Sequence, residues 1–139
     1  MSRLSSWLQP ATTVHAHCDV PCGIYDPHGA ELAARTVARM VELIGQLPKE
    51  NRTEADMQKF IRCVTVKEQH AEIVKHEIQV IWSDYFKPEH VERYPDLHDR
   101  TWKILKLASK NKQTIDAAAA AELEAAVKEF ADIFWSTKK

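Results

Sequence analysis

Two cysteines and a histidine fall within six positions of the segment HCDVPCGIY, residues 17–25. Thiolate and imidazole are the ligands that soft and borderline metals take, and closely spaced thiols also serve redox exchange. His17, Cys18 and Cys22 are therefore the residues whose types and spacing could do chemistry. Their spacing, Cys-x-x-x-Cys, is neither the Cys-x-x-Cys of a redox helix nor that of a zinc knuckle. Spacing alone leaves two readings open: a metal site, or two cysteines in an N-terminal arm. With Cys63 the chain has 3 cysteines, an odd set that is not a disulfide framework. Reduced thiols in a reducing compartment fit it better.

The segment stands behind the leader MSRLSSWLQPATTVHA, residues 1–16. Arg3 and the Val14-His15-Ala16 ending resemble parts of a secretion signal, but Ser5, Ser6, Gln9, Pro10, Thr12 and Thr13 interrupt any apolar stretch. A removable or unstructured leader is the better reading. Cleavage after Ala16 gives His17 a free α-amine. That amine, the amide nitrogen of Cys18 and the thiolate of Cys18 then become consecutive donors, each pair closing a five-membered chelate ring. Cys22, returned by the Asp19-Val20-Pro21 turn, completes a square of two nitrogens and two sulfurs, and the His17 imidazole can reach an axial position. A square set of this kind points to Ni(II) or Cu(II) rather than tetrahedral zinc. Its strong donors stabilise a higher oxidation state and so permit one-electron cycling. An intact leader removes the amine, which makes proteolysis an activation step.

Around these donors, Pro21 restricts the turn and Gly23 lets the chain leave at close approach. Asp19 and Tyr25 bring polar groups to the open face, where they can orient water, protons or a small anion. Their plainer reading is a turn cap and helix-entry packing.

The elements that position this segment read as helices. The chain has 139 residues, 45% hydrophobic and 28% charged, with only 3 glycines. That is one domain with a real core and a helix-favouring composition. Asp26-Pro27 starts a first helix, with apolar residues at Val37, Met40, Val41, Ile44 and Leu47. A second begins between Asn51 and Glu54. Its stripe is Met57, Phe60, Ile61, Val64, Ala71, Val74, Ile78, Ile81 and Tyr85. Residues 84–95 carry two prolines and read as a connection with at most one short helical turn. A third helix spans about Asp96 to Lys110, with Leu97, Thr101, Ile104, Leu105 and Ala108 inward. Asn111 to Gln113 read as a polar turn. Thr114 caps a fourth helix striped by Ala119, Leu123, Ala126, Val127, Phe130, Ile133 and Phe134. The expected fold is all-α: an antiparallel four-helix bundle over about 27–137, with an N-terminal metal-binding hook at 17–25.

Other candidates are weaker. None of the 7 histidines has an acid three positions before it, so the Glu-x-x-His of di-iron bundles is absent. His70 and His76 stand about 240° apart around a helix and do not chelate together easily. Glu72 and His76 read as a surface pair, Cys63 as an inert buried thiol, and Trp82, Trp102 and Trp135 as packing residues or interface anchors. A formal charge of −1 gives no footing for nucleic acid, and no apolar run approaches a membrane span.

Three stretches together resemble the nickel-containing superoxide dismutases in precursor form. They are HCDVPCGIYDP, the run VKEQHAEIVKHEIQVIWSDYFKPEHVERYPDLH with its WSDYFKP core, and the terminal IFWSTKK. The resemblance covers nearly all of residues 17–139. It implies disproportionation of superoxide to dioxygen and hydrogen peroxide, with one nickel ion per subunit alternating between Ni(II) and Ni(III). The implied ligands are the amine and imidazole of His17, the amide and thiolate of Cys18 and the thiolate of Cys22. Asp19 and Tyr25 match residues near the substrate channel, and Tyr85 and Lys87 match residues that enclose and anchor the hook. A cytoplasmic homohexamer is implied, as is a maturation peptidase that cuts residues 1–16 away. One departure stands out. Some members hold the axial imidazole with a Glu from the first helix and an Arg from the second, and the corresponding residues here are Ala33 and His70. His70, water or Glu31 is then expected to take over that support. A metal-delivery bundle with a thiol arm, or a structural oligomer with an inactive hook, are the alternative readings.

Overall fold

Four long helices carry the fold in the computed structural model, which describes residues 22–138. They are α1 (His28–Gly45), α2 (Glu54–Val80), α4 (Leu97–Gln113) and α5 (Ala117–Thr137), with a short α3 (Pro88–Arg93) in the connection between α2 and α4. Each start has a chemical cause. The Asp26 carboxylate accepts the His28 N–H at 2.7 Å. Thr53 and Asp56 form a reciprocal capping box at α2. Asp116 accepts the Ala119 N–H at 3.0 Å at α5.

Neighbouring helices pack as α1–α2, α2–α4, α4–α5 and α5–α1, a closed ring of four. Side-chain pairs fix the directions. The start of α1 meets the end of α2, where Gly29 faces Glu77. Lys67 and Lys75 of α2 reach Asn111 and Ser109 of α4 respectively. Across α4–α5, Arg100 pairs with Glu129 while Lys110 pairs with Asp116. Across α5–α1, Arg35 approaches Glu124 while Lys138 reaches Tyr25. In all four seams residue numbers rise on one helix as they fall on the other, so the bundle is antiparallel throughout, as expected.

The core runs along the ring's axis, through Val37, Val74, Ile78, Leu123, Phe130 and Phe134, all at 0% exposure. Full burial of one such side chain contributes about 1.5–3 kcal/mol. Three expectations need correction. Asn111 to Gln113 are the last turn of α4, not a polar turn. Asn111 is buried with its amide nitrogen donating to Leu107 O at 2.9 Å and Ala119 O at 3.0 Å, while its Oδ1 is buried without a partner among the described residues. Thr114 closes α4 rather than capping α5, a role that falls to Asp116. Met57 and Ile61 face outward at 43% and 58% exposure, and the inward positions of that part of α2 are Cys63 and Lys67. Lys67 is 1% exposed. Its ammonium donates to the carbonyls of Asn111 and Lys112, the otherwise orphaned acceptors at the end of α4. Burial holds its pKa below the usual lysine value.

Candidate metal centre

His17, Cys18, Asp19 and Pro21 lie outside the described residues. Cys22 is the first residue described, and it is exposed at the end of the bundle where α1 begins and α2 and α5 end. Its Sγ accepts the Ile24 N–H at 3.5 Å. The thiolate is the form of cysteine that a metal binds. Gly23 adopts φ +72, the left-handed region. A Cβ there would meet nothing within 4 Å, so the backbone conformation and not crowding calls for glycine. The chain then alternates: Ile24 points out at 77% exposure and Tyr25 points in at 8%.

Tyr25 is the plug that fixes this exit. Its ring lies 5.7 Å from that of Tyr85, tilted by 55°. Its carbonyl accepts from Lys138 Nζ at 3.3 Å. Tyr85 is in turn fixed from several sides. Its hydroxyl shares a 2.8 Å hydrogen bond with Thr137 Oγ1, and its ring contacts Phe134 at 4.5 Å and stacks on His90 at 5.7 Å. The backbone that carries Tyr85 is a π-helical turn over Ile81–Tyr85, closed by Phe86 N–H on Ile81 O at 3.2 Å. Such turns change the direction of a helix end, frequently at functional sites. Lys138 also lies over the rings of Phe134 at 5.2 Å and Tyr85 at 5.8 Å. A hook residue, the WSDYFKP run and the C-terminus therefore meet at one place.

Of the remaining expected residues, Lys87 is exposed and opens α3, its N–H on His90 Nδ1 at 3.1 Å. The described contacts join Tyr25 to Lys138 rather than to Lys87. Ala33 is buried at 2% in the α1–α2 seam. His70 is half-buried with Nδ1 2.8 Å from Val66 O, so that nitrogen carries the hydrogen and the backbone holds it. Glu72 pairs with Lys112 at 2.8 Å. Cys63 is buried at 7%, as expected of an inert thiol. Trp82, Trp102 and Trp135 are exposed at 37%, 64% and 46%.

Two residues at the site were not singled out from the sequence. Lys138 reads as a terminal surface lysine, although IFWSTKK contains it. Glu77 reads as one more acid on a charged helix, yet it is buried at 7% with its carboxyl group against Gly29 of α1. Among the described residues no group of three His, Cys, Asp or Glu side chains could hold a metal. Cys22 contributes one candidate ligand, and the other two expected from the sequence, His17 and Cys18, lie outside the described residues.

An antiparallel helical ring with a thiol-bearing segment seated at one end defines the class: a helical bundle with a candidate metal centre at its open end. The family model described as nickel-containing superoxide dismutase matches residues 12–138. Two relatives named Superoxide dismutase [Ni] align over 136 residues and 98% of both chains. The one from Streptomyces seoulensis is 39% identical, and that from Streptomyces coelicolor is 40% identical. A native nickel superoxide dismutase structure superposes with a TM-score of 0.77 at 39% identity, covering 88% of this chain and 100% of that one. One with the nickel ligation of the oxidised state superposes at 0.78 and 38% identity, covering 88% and 98%. The chain belongs to the nickel-containing superoxide dismutase family, an oxidoreductase acting on superoxide with nickel as its cofactor.

Proposed function

We propose that the chain disproportionates superoxide through a nickel hook made by His17, Cys18 and Cys22 after the leader is cut away at Ala16. Two superoxide anions and two protons give one dioxygen and one hydrogen peroxide. Bound nickel supplies the one-electron exchange between Ni(II) and Ni(III). The chain holds it with the amine and imidazole of His17, the amide and thiolate of Cys18 and the thiolate of Cys22. The donor set fits, because thiolates and amide nitrogen are the ligands a square nickel site favours.

The observation that carries this reading is the seat under the hook. Tyr25 is buried against Tyr85, and its carbonyl is held by Lys138. A flexible delivery arm has no need of such a seat. Tyr25 and Asp19 order the proton-bearing water that superoxide reduction consumes. Tyr85 narrows the approach so that only small anions enter, and Lys87 and Lys138 add positive charge at that end. Cleavage after Ala16 is supported by coverage: the Streptomyces relatives align with 98% of this chain, whereas a solved chain aligned in full covers only 88% of it. A homohexamer is supported by large apolar side chains left in the open, such as Trp102 at 64% and Leu32 at 53% exposure. The odd set of 3 cysteines, with Cys63 a buried thiol, suits a cytoplasmic location.

The test is protein beginning at His17, assayed for nickel per chain and superoxide removal beside Cys22→Ser. One nickel per chain with activity abolished by Cys22→Ser is expected. A zinc-loaded, inactive protein would favour metal delivery, and a metal-free one a structural oligomer.

A further inference from the structure

We propose that His90 and His98 form a proton-operated latch: neutral, they hold the connection between α2 and α4 closed, and protonated, they release it together with Tyr85. The latch needs no metal and involves only described residues.

The tautomer of each ring follows from its donor. Trp82 Nε1 donates to His98 Nδ1 at 2.8 Å, and the Lys87 backbone N–H donates to His90 Nδ1 at 3.1 Å. Neither an indole nor a backbone N–H can accept, so both Nδ1 atoms bring a lone pair and both rings are neutral. A proton on either Nδ1 sets one N–H against another and ends that bond. His70 behaves oppositely, because its Nδ1 lies 2.8 Å from the Val66 carbonyl and that bond survives in the cation.

The two acceptor rings fasten the same segment at different points. His98, on the first turn of α4, fastens Trp82 in the π-helical turn that presents Tyr85. Those two rings meet edge-on, with centroids 5.7 Å apart and planes at 90°. His90 fastens the start of α3 and stacks on Tyr85 itself, at 5.7 Å and 14°. The segment is lightly held otherwise, since α3 has no buried residue. Its other ties include Phe86 against Phe130 at 5.5 Å and the Tyr94 hydroxyl with Ser136 Oγ at 2.6 Å, neither of which titrates with an imidazole.

The surrounding charge does not decide the direction. The π-helical turn offers Asp84, the connection offers Lys87, Glu89, Glu92 and Arg93, α4 offers Asp99, and α5 offers Lys138, whose ammonium lies over the Tyr85 ring. Asp96 is already tied to Arg100. Lys87, Glu92 and Asp99 share the surface grooves that His98 lines. All of these but Arg100 are exposed, and the acids and bases nearly balance, so solvent and opposite charges mute them. The two bonds set the sign instead. The closed segment binds fewer protons than the open one, so it loses stability as pH falls from about 8 to 5, where imidazoles ionise. As a local unit it opens before the four long helices melt, and the melting midpoint does not report it.

The test uses the full chain, isotope-labelled, at about pH 7.5 and about pH 5.5, on either side of the imidazole range. Readouts are the solvent-exchange protection of residues 81–95, corrected for the pH dependence of free-amide exchange, and the Trp82 indole N–H signal, assigned by its loss in Trp82→Phe. The forms are wild type, His90→Asn, His98→Asn and the double variant, asparagine offering near the Nδ1 position an acceptor oxygen that cannot take the proton. A net hydrogen bond is worth about 2–10-fold in an equilibrium constant, so losing both should raise opening of the segment about 5–100-fold in wild type. The Trp82 indole signal should move toward its solvent-exposed position, while the middles of α1 and α5 keep their protection. Each single variant should show a smaller response, and the double variant less than about twofold. Unchanged protection of 81–95 in wild type overturns the latch. So does a full response in the double variant, which would assign it to the carboxylates, or an equal loss of protection in α1 and α5, which would make it global.

Discussion

Lys67 offers the sharpest test of how this bundle is held together. It is 1% exposed, and its ammonium donates to the carbonyls of Asn111 and Lys112. Two terms separate by substitution. Lys67→Ala removes three buried methylenes, about 2.4 kcal/mol at about 0.8 each. It also removes charged hydrogen bonds worth about 1.5–3 kcal/mol. Against these stand the relief of a buried charge and re-solvation of the carbonyls by water entering the space. The net expectation is a loss of about 2–4 kcal/mol. Lys67→Met keeps the stem and removes only the ammonium, and desolvation relief offsets most of the lost hydrogen bonding. Its expected loss is about 1–2 kcal/mol, no more than half that of Lys67→Ala. For a domain of this size each kcal/mol moves the midpoint by about 3–5 °C. Thermal unfolding at one fixed protein concentration, which keeps assembly constant, reads both. If Lys67→Met is as damaging as Lys67→Ala, the polar clamp and not stem packing dominates. If Lys67→Ala costs under about 0.5 kcal/mol, the closure of α4 by Lys67 carries no weight.

The remaining predictions concern the hook and the acid limb. Gly23→Ala forces an ordinary residue into φ +72 at about 1–2 kcal/mol, with no clash. Nickel retention against a competing chelator should weaken about 5–30-fold, with the bundle's melting unchanged. Gly23→Asn should lose less, and equal retention by all three proteins would show that the left-handed turn is not needed for binding. Hydrogen bonding to Lys112 holds the Glu72 carboxyl below its usual range, as the Thr53 backbone and hydroxyl do for Asp56 and the Ala119 N–H does for Asp116. Each folded pKa lies below its unfolded value, so these contributions are complete above the usual carboxylate pKa and vanish as pH falls through the folded values. The unfolding midpoint of the metal-free chain should therefore hold from pH 7 to about 5 and drop below it. Asp116→Asn should shallow that drop, and an acid limb of unchanged steepness would contradict the assignment.

The long helices were legible because their apolar residues repeat at helical spacing and their starts carry Asp26, Thr53 and Asp116. Polar residues buried inside the protein were not legible. Asn111 reads as turn because side-chain amides favour turns, yet here two carbonyls hold its nitrogen. Lys67 reads as surface because its charge is visible in the sequence and its acceptors, 44 and 45 residues away, are not. The same blindness hid Glu77. Cys22, by contrast, is legible because thiol chemistry depends on residue type and local spacing. The partners of Tyr25 are not: Tyr85 and Lys138 come from the far ends of two other elements.

That difference follows from how the end of the bundle is built. The proposed hook of a few residues would have too little apolar surface to fold by itself, and metal donors must be held within a fraction of an ångström. The bundle supplies the missing order at one residue, Tyr25, which is buried while both its neighbours, Ile24 and Asp26, are exposed. Tyr85 bears on its ring and Lys138 on its carbonyl, so side chain and backbone are fixed by different elements. Two residues then separate this fixed point from Cys22, and one of them, Gly23, sets the direction of the chain. Losing the ring contact should therefore loosen the hook without unfolding the helices, since Phe130 and Phe134 keep the core closed beneath it. On the proposed assignment, a metal-binding segment ahead of Tyr25 would be anchored through that residue, and the π-helical turn that presents Tyr85 would belong to the site although it holds no ligand.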